Sequence, residues 1–298
     1  MMHLIDINNF KKKQIDEIIS LAKKIKKNPK KYSLICKNKT LGLIFEKQSL
    51  RTRLSFSVGM QKIGGSVLEL QSKDIGFDNK REKAEDVLNV LSQFIDCVMI
   101  RNNDHKQILN LSKQNIIPII NGLTDYSHPC QILGDFLTIQ EKYKTNRKIN
   151  IAWIGDYNNV LRSLIHLQNI YDFRLNVVIP KQIFRNYKKE FQKYKNKNLN
   201  HFSDPILGSK NSNCIMTDVW ISMGEKNKNK IKYFKNFTVN KNIISNASKN
   251  VIFMHCLPAK RGQEVTSDVL DGKNSVVLNQ AKNRMYIQQA IIVYVLKK

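Results

Sequence analysis

Two arginines and two hydroxyl side chains lie close together in the stretch FEKQSLRTRLSFSVGMQKIGG, residues 45–65. Arg51 and Arg53 alternate with Ser49 and Thr52, immediately before a helix-like run. The amides and dipole at a helix N-terminus favour an anion, and guanidinium groups add forked hydrogen bonds to phosphate or carboxylate oxygens. The stretch therefore predicts an anion site, although an ordinary helix cap beside solvated arginines fits it equally well. Arg53 is the weaker candidate and is expected to brace the site.

A second set of polar residues has the chemistry to surround a carbonyl group. Arg101 ends the apolar run CVMIR, and His128 and Gln131 lie three residues apart in HPCQ. Arg101 and His128 would stabilise an oxyanion and Gln131 would hold an amide. The alternative for His128 is a histidine that caps the helix beginning near Pro129.

Two further motifs suggest recognition of an amino acid. In TDVWISMG, Asp218 could bind an ammonium group, while Ser222 and the backbone after it could bind a carboxylate. In HCLP, Cys256 could be a nucleophile or could orient a substrate. A strand running into a glycine turn and a buried structural thiol are the alternatives.

Strands and helices alternate along the chain in a way that places these residues together. Strands are predicted at 40–45, 66–70, 97–101, 116–120, 149–155, 174–180, 213–219 and 251–256, with helices between most of them and a last helix over 280–296. This alternation predicts two parallel sheets. Ligands bind at the carboxyl ends of strands in such sheets, which is where the polar candidates lie. The residues KTNRK, 144–148, are predicted to be a hinge between the two halves.

Composition narrows the classes of function. The 298 residues are 42% hydrophobic, enough for a substantial core, and five widely spaced cysteines favour neither a disulfide framework nor a metal site. The net charge of +26 suggests nucleic acid, but only ten of the 50 basic residues are arginine and the lysines are spread along the chain. We therefore expect no nucleic-acid partner. With neither a membrane-length apolar run nor the apolar core of a signal peptide, the sequence predicts a soluble, cytoplasmic protein.

Taken in order, the motifs resemble one enzyme family. FEKQSLRTR, IRN at Arg101, HPCQILGDF, WIGDYNN, TDVWISMG, HCLPAKRG and AKNRMYIQQA are similar to those of the ornithine carbamoyltransferases, within the aspartate/ornithine carbamoyltransferase superfamily. The resemblance runs from about residue 3 to the end. It implies transfer of a carbamoyl group from carbamoyl phosphate to L-ornithine, giving L-citrulline and phosphate in arginine biosynthesis.

The resemblance also implies a role for each matching residue. The carbamoyl-phosphate site would be formed by Ser49, Leu50, Arg51, Thr52, Arg101, His128, Gln131, Cys256, Leu257 and Arg284. Ornithine would be bound by Asn159, Asp218, Ser222 and Met223. Among these, Arg101, His128 and Cys256 would be catalytic, with Cys256 contacting the reacting amine rather than forming a covalent intermediate.

The family architecture gives the remaining expectations. It implies two doubly wound α/β domains, each a parallel sheet flanked by helices. Residues 1–143 would bind carbamoyl phosphate, 144–276 would bind ornithine, and the C-terminal helix, 277–298, would pack back on the first domain. No metal or organic cofactor is expected, and the assembly would be a homotrimer or a multiple of trimers.

Three positions depart from the family pattern. Leu50 replaces a usual threonine and resembles the carbamoyltransferases that act on acetylornithine or succinylornithine, so an N-acylated ornithine is the alternative acceptor. The loop 75–82 lacks the usual glutamine and glycine, which leaves any phosphate contact there open. Tyr157 replaces a glycine and should stiffen the turn before Asn158. Aspartate as acceptor, an inactive homologue and a nucleic-acid-binding protein are the other readings.

Overall fold

The computed structural model describes residues 1–46, 49–73, 75, 82–143, 149–222, 225 and 228–297. The chain divides into two compact units. The first comprises Met1–Leu137 with Lys282–Lys298, and the second comprises Thr138–Ala281. No helix within the described ranges has both the length and the apolar character needed to cross a membrane.

The first unit is built on a four-stranded parallel sheet with the order β2-β1-β3-β4. Its strands are β1 Thr40–Phe45, β2 Ser66–Gln71, β3 Cys97–Arg101 and β4 Ile119–Leu123. Its helices are α1 Lys12–Lys27, α2 Leu50–Lys62, α3 Ala84–Leu91, α4 His105–Lys113 and α5 Pro129–Tyr143, the last of which continues into the second unit. Ile15, Ile18, Ala22 and Ile25 of α1 are all buried, as their helical spacing predicts.

The second unit contains a five-stranded parallel sheet with the order β7-β6-β5-β8-β9. Its strands are β5 Asn150–Ile154, β6 Arg174–Val178, β7 Leu199–Phe202, β8 Cys214–Thr217 and β9 Ile252–His255. Its helices are α6 Asn159–Ile170, α7 Lys181–Lys193, α8 Pro205–Ser209, α9 Lys241–Asn246 and α10 Ser267–Leu270. Helix α11, Val277–Lys297, begins here and ends in the first unit. There Gln289 Nε2 donates to the Gly59 carbonyl at 3.0 Å, so the predicted return of the C-terminal helix is confirmed.

The two parallel sheets flanked by helices confirm the predicted fold class. One strand was placed wrongly. The run 116–120 was expected to form the fourth strand, which instead covers 119–123. Pro118 has no N–H to donate to the ladder, so regular pairing with β3 begins at Ile119. Strand β7 was not predicted at all, because its four residues, LNHF, are short and half polar.

Candidate functional site

Helix α2 begins at the predicted anion-binding stretch. Ser49 is its N-cap, and the Ser49 hydroxyl accepts a hydrogen bond from the Thr52 amide at 3.4 Å. Leu50 is 68% exposed and Arg51 is part-exposed, so solvent reaches the first turn of the helix. The N-terminal turn of a helix is suited to an anion.

Arg53 takes a different direction from the residues on either side of it. Its Nε lies 3.1 Å from a carboxylate oxygen of Glu69 on β2, and its guanidinium lies 5.3 Å from the centroid of the Phe45 ring. Arg53 therefore fixes α2 against the sheet, in agreement with the bracing role predicted for it.

The Thr52 hydroxyl is the centre of the cationic cluster. Thr52 is fully buried, and its Oγ1 accepts a hydrogen bond from Arg101 and another from Arg284, each at 3.0 Å. With both acceptor positions occupied, the hydroxyl has its own proton to donate. The cluster thus presents two guanidinium groups and one oriented hydroxyl donor at the carboxyl ends of β1 and β3.

Two backbone features bring the arginines to Thr52. The register between β3 and β4 shifts between Ile100 and Arg101, and such irregularities redirect the side chain at a strand end. Arg284 reaches the cluster because α11 passes very close to Gly134, where an added Cβ would lie 3.3 Å from the Arg284 Cα. Apart from the family resemblance, nothing in the run AKNRMYIQQA distinguishes Arg284 as a site residue.

His128 is buried beside this cluster and is held neutral. Burial lowers the pKa of His128 well below its usual value, and the positive charges of Arg284 and Arg101 lower it further. A neutral imidazole can donate one hydrogen bond and accept another. His128 is therefore suited to polarising a carbonyl oxygen rather than to forming an ion pair with it.

Gln131 is oriented by a residue that sequence reasoning missed. Its Nε2 donates to the Asp135 carboxylate at 2.7 Å, one helical turn along α5. Its Oε1 is buried and has no hydrogen-bond partner among the described residues. An acceptor held in this way suits the N–H of an amide. The i, i+4 spacing of Gln131 and Asp135 in the sequence could have indicated this hydrogen bond.

In the second unit, Asp218 follows β8 and is held from both sides. Asn158 Nδ2 donates to Asp218 Oδ2 at 2.8 Å, and the Cys256 thiol donates to Asp218 Oδ1 at 2.8 Å. Asn158 is also the N-cap of α6, and Asn159 is the first residue of that helix. Asp218 is a carboxylate acceptor with fixed orientation, which suits an ammonium group. Asn158 was missed as a functional residue, although Asn before a helical run is a capping signal.

The HCLP turn is fixed by buried hydrogen bonds. The Leu257 amide donates to His255 Nδ1 at 2.8 Å, so Nε2 carries the imidazole proton and donates to Glu264 at 3.1 Å. Leu257 has a positive φ of 57°, an uncommon conformation for leucine. Asp218, His255 and Cys256 each have an atom that could bind a metal ion, and these atoms lie within 4.8 Å of one another. Both ring nitrogens of His255 already take part in hydrogen bonds, which disfavours a metal site here.

Ser222 lies beside an ionic network that joins two segments of the second unit. Glu225 accepts a hydrogen bond from the Ser222 amide at 3.2 Å and lies 2.6 Å from Lys230 Nζ. Lys230 Nζ is also 2.6 Å from Asp156, which follows β5. Glu225 and Lys230, which follow Ser222 in the chain, are therefore held in place by these ion pairs.

Three predictions fall on residues outside the described part of the chain. They are the ornithine contact assigned to Met223, most of the altered loop 75–82, and the hinge at 144–148. The turn at Tyr157 is described. The Tyr157 ring stacks on Tyr187 with centroids 4.3 Å apart, and the Arg162 guanidinium lies 5.4 Å from its centroid. These contacts hold Tyr157 in place beside Asn158, as the predicted stiffening requires.

Comparison with known proteins matches both halves of the chain to one family. Residues 2–141 match the aspartate/ornithine carbamoyltransferase carbamoyl-P binding domain, and residues 147–295 match the Asp/Orn binding domain of the same family. The chain is 39% identical to an ornithine carbamoyltransferase of Ruthia magnifica over 99% of both chains. It is 41% identical to one of Prochlorococcus marinus over 92% of this chain and 90% of the relative.

A solved structure gives the same result. The fold matches ornithine carbamoyltransferase from Pyrococcus furiosus with a TM-score of 0.89 and 36% identity. The match covers 99% of this chain and 97% of that one.

Proposed function

The chain belongs to the aspartate/ornithine carbamoyltransferase family, and we propose that it transfers the carbamoyl group of carbamoyl phosphate to the δ-amine of L-ornithine. The products are L-citrulline and inorganic phosphate. The observation that supports ornithine as the acceptor is Asp218, whose carboxylate is held by Asn158 and Cys256. An anion here suits the ammonium group of ornithine and would repel the second carboxylate of aspartate.

Residues of the first unit bind carbamoyl phosphate in this proposal. The α2 turn from Ser49 to Thr52, including the Leu50 amide and the Arg51 guanidinium, receives the phosphate. Arg101 and His128 bind the carbonyl oxygen, and Gln131 accepts from the carbamoyl N–H₂. Arg284 supports this arrangement through Thr52.

Residues of the second unit bind ornithine. Asp218 and Asn159 bind the amino-acid end, and the turn at Ser222 and Met223 binds the α-carboxylate. Cys256 and Leu257, although they belong to the second unit, complete the carbamoyl-phosphate site, and the Cys256 thiol contacts the reacting amine. In this proposal the two domains are residues 1–143 for carbamoyl phosphate and 144–276 for ornithine, with 277–298 returning to the first.

The chemical step is an attack of the neutral δ-amine on the carbamoyl carbon. The C–N bond forms, negative charge develops on the carbonyl oxygen, and the bond to the phosphate oxygen then breaks. Arg101, His128 and the Thr52 hydroxyl stabilise the developing oxyanion, while Arg51 and the α2 amides stabilise the departing phosphate. The proton lost by the amine balances on the phosphate, which leaves as the hydrogen phosphate dianion.

Positioning supplies much of the catalysis, and Cys256 does not need to be acylated. Carbamoyl phosphate already carries a good leaving group, so a covalent intermediate on Cys256 would accelerate the reaction little. The thiol donates a hydrogen bond to Asp218, which is consistent with an orienting role.

The test of the proposed function is stoichiometric. Purified protein with carbamoyl phosphate and L-ornithine should form L-citrulline and phosphate in a 1:1 ratio. Acid-quenched enzyme should carry no carbamoyl adduct on Cys256 by mass spectrometry, and Cys256→Ala should lose most of the activity. Phosphate release without citrulline would overturn the proposed acceptor, and an adduct on Cys256 would overturn the direct transfer.

We propose the assembly and the cellular role from the family to which the chain belongs. We expect a homotrimer or a multiple of trimers, supported by large apolar side chains that the single chain leaves exposed in the first unit: Leu34, Leu54, Val90 and Phe94. Light scattering should give three times the 34.6 kDa chain mass, or a multiple of that value. A monomer would contradict the assembly. Roles in arginine biosynthesis and a cytoplasmic location remain predictions.

A further inference from the structure

A buried lysine joins the segment after β5 to the turn that begins at Ser222. Lys230 lies in the 3₁₀ helix Lys228–Phe234, and its side chain is only 8% exposed. Its Nζ is 2.6 Å from Asp156 Oδ2 and 2.6 Å from Glu225 Oε1. A lysine is seldom buried this far without a specific partner, and here it has two.

Each carboxylate in this network is tied to a residue of the proposed ornithine site. The second oxygen of Glu225 accepts the Ser222 amide, and the Glu225 amide donates to the Ser222 carbonyl at 3.0 Å. Asp156 lies two residues before Asn158, the side chain that holds Asp218. Movement of Lys230 would therefore disturb Ser222 through Glu225, and the Asp218 contact through the chain from Asp156 to Asn158.

The network has the charge balance of a structural clamp. Burial by itself would lower the pKa of Lys230, but the carboxylates of Asp156 and Glu225 raise it above its usual value, so the lysine stays charged. Without that cation, two carboxylates would lie uncompensated near the turn that must receive the α-carboxylate of ornithine.

We infer that Lys230, acting with Glu225, is a positioning residue that sets the Ser222 turn for the α-carboxylate of the amino-acid substrate. The inference rests on the proposed function and adds residues that do not themselves touch the substrate. Asp156 supplies the fixed end of the bridge, because its carbonyl also accepts the Trp153 indole N–H at 2.9 Å.

The test is a set of kinetic measurements on Lys230→Met and Glu225→Gln. Lys230→Met should raise KM for L-ornithine about ten- to a hundredfold, because a hydrogen bond to a charged group is lost and two carboxylates are left unpaired. KM for carbamoyl phosphate should change less than about twofold. Lys230→Arg should recover much of the loss. Lys232→Met is the matched control, because Lys232 is exposed on the same 3₁₀ helix.

Two competitive inhibitors separate positioning from general damage. L-Norvaline carries the α-amino and α-carboxyl groups without the δ-amine, and 1,4-diaminobutane carries both amines without the carboxylate. In Glu225→Gln the inhibition constant of L-norvaline should rise about tenfold, while that of 1,4-diaminobutane stays unchanged. Equal changes for both would overturn the inference. Glu225 is 26% exposed, so this variant is expected to fold even if Lys230→Met does not.

The last test compares the double variant of Lys230 and Glu225 with the two single variants. If Lys230 and Glu225 act through one contact, the double variant should be no worse than the more damaging single variant. Additive effects would contradict the bridge, as would ornithine KM values that stay at the wild-type level in both single variants. Wild-type enzyme that forms no citrulline would instead overturn the proposed function. The inhibitor affinities, measured by calorimetry, would then still decide whether Lys230 and Glu225 set the turn.

Discussion

The two candidate binding regions differ in the sign of the charge that each presents. In the first unit, Arg101 and Arg284 donate to one buried hydroxyl, that of Thr52. Burial lowers the pKa of the neighbouring His128, and the two arginines lower it further. In the second unit, Asp218 is a carboxylate held by neutral donors. In the proposed function, the first region binds an anion with a polarised carbonyl, and the second binds a cation.

The two regions also differ in how their charges are supported. The two arginines of the first unit converge on a neutral residue, Thr52. The buried cation of the second unit, Lys230, is neutralised locally by Asp156 and Glu225. In the proposed function, the first arrangement serves binding and the second serves structure. Variants should therefore affect one substrate at a time.

The largest effect is expected for Arg101→Gln. In the proposed function this change removes a donor to the carbonyl oxygen, so it should lower kcat/KM for carbamoyl phosphate about 10³-fold, as loss of an oxyanion donor does elsewhere. Steady-state kinetics with both substrates varied provides the measurement. Arg53→Gln is the control, because Arg53 pairs with Glu69 and should cost less than about threefold. Equal losses in the two variants would break the assignment.

The next largest effect is expected for Asp218→Asn. The variant keeps the shape of the side chain but loses the charge that pairs with ornithine, so kcat/KM for ornithine should fall about 10²- to 10³-fold. KM for carbamoyl phosphate should stay within about twofold. Asp172→Asn, at an exposed carboxylate of the same unit, should behave as wild type. A matching rise in KM for carbamoyl phosphate would contradict the separation of the two regions.

A smaller effect is expected in the pH dependence of folding stability, through His128 of the first unit. Because the pKa of buried His128 is lowered, below pH 6.5 the unfolded chain binds a proton there that the folded chain does not. The folded state therefore loses stability as pH falls below 6.5, by up to about 1.4 kcal/mol per pH unit. Urea unfolding between pH 7.5 and 5 should show a shallower pH dependence for His128→Asn than for wild type. Parallel curves would mean that His128 is not held neutral.

The smallest effect is expected at Leu50. Its side chain is 68% exposed and, in the proposed role, only its backbone amide contributes to the phosphate site. Leu50→Thr should change KM for carbamoyl phosphate by less than about threefold and stability by less than about 0.5 kcal/mol. Thermal unfolding and kinetics of the variant measure both. A change of acceptor from free to acylated ornithine would show instead that Leu50 tracks substrate choice.

Local sequence signals predicted most of the elements and indicated which strand ends to inspect for site residues. Apolar runs bounded by polar residues located β1 and β3, and the rule for parallel sheets directed attention to Thr52 and Arg101. The fourth strand was misplaced because the IIPII run reads as apolar through Pro118, whose missing N–H starts the pairing later.

Residues that act through long-range contacts were beyond the same signals. Arg284 meets Thr52 across 232 positions of sequence, and Lys230 meets Asp156 across 74. Nothing in their neighbourhoods marks either side chain, because each gains its role only when the fold brings the partners together. Periodicity and spacing do not encode such pairings, and only the family resemblance identified Arg284.

The most direct test of the central claim is acceptor choice by the wild-type enzyme. Carbamoyl phosphate is offered with an equimolar mixture of L-ornithine, N-acetyl-L-ornithine and L-aspartate, and the products are identified by mass spectrometry. The charge of Asp218 predicts L-citrulline with the other two acceptors unchanged. Carbamoylated aspartate or carbamoylated acetylornithine as the main product would contradict the account.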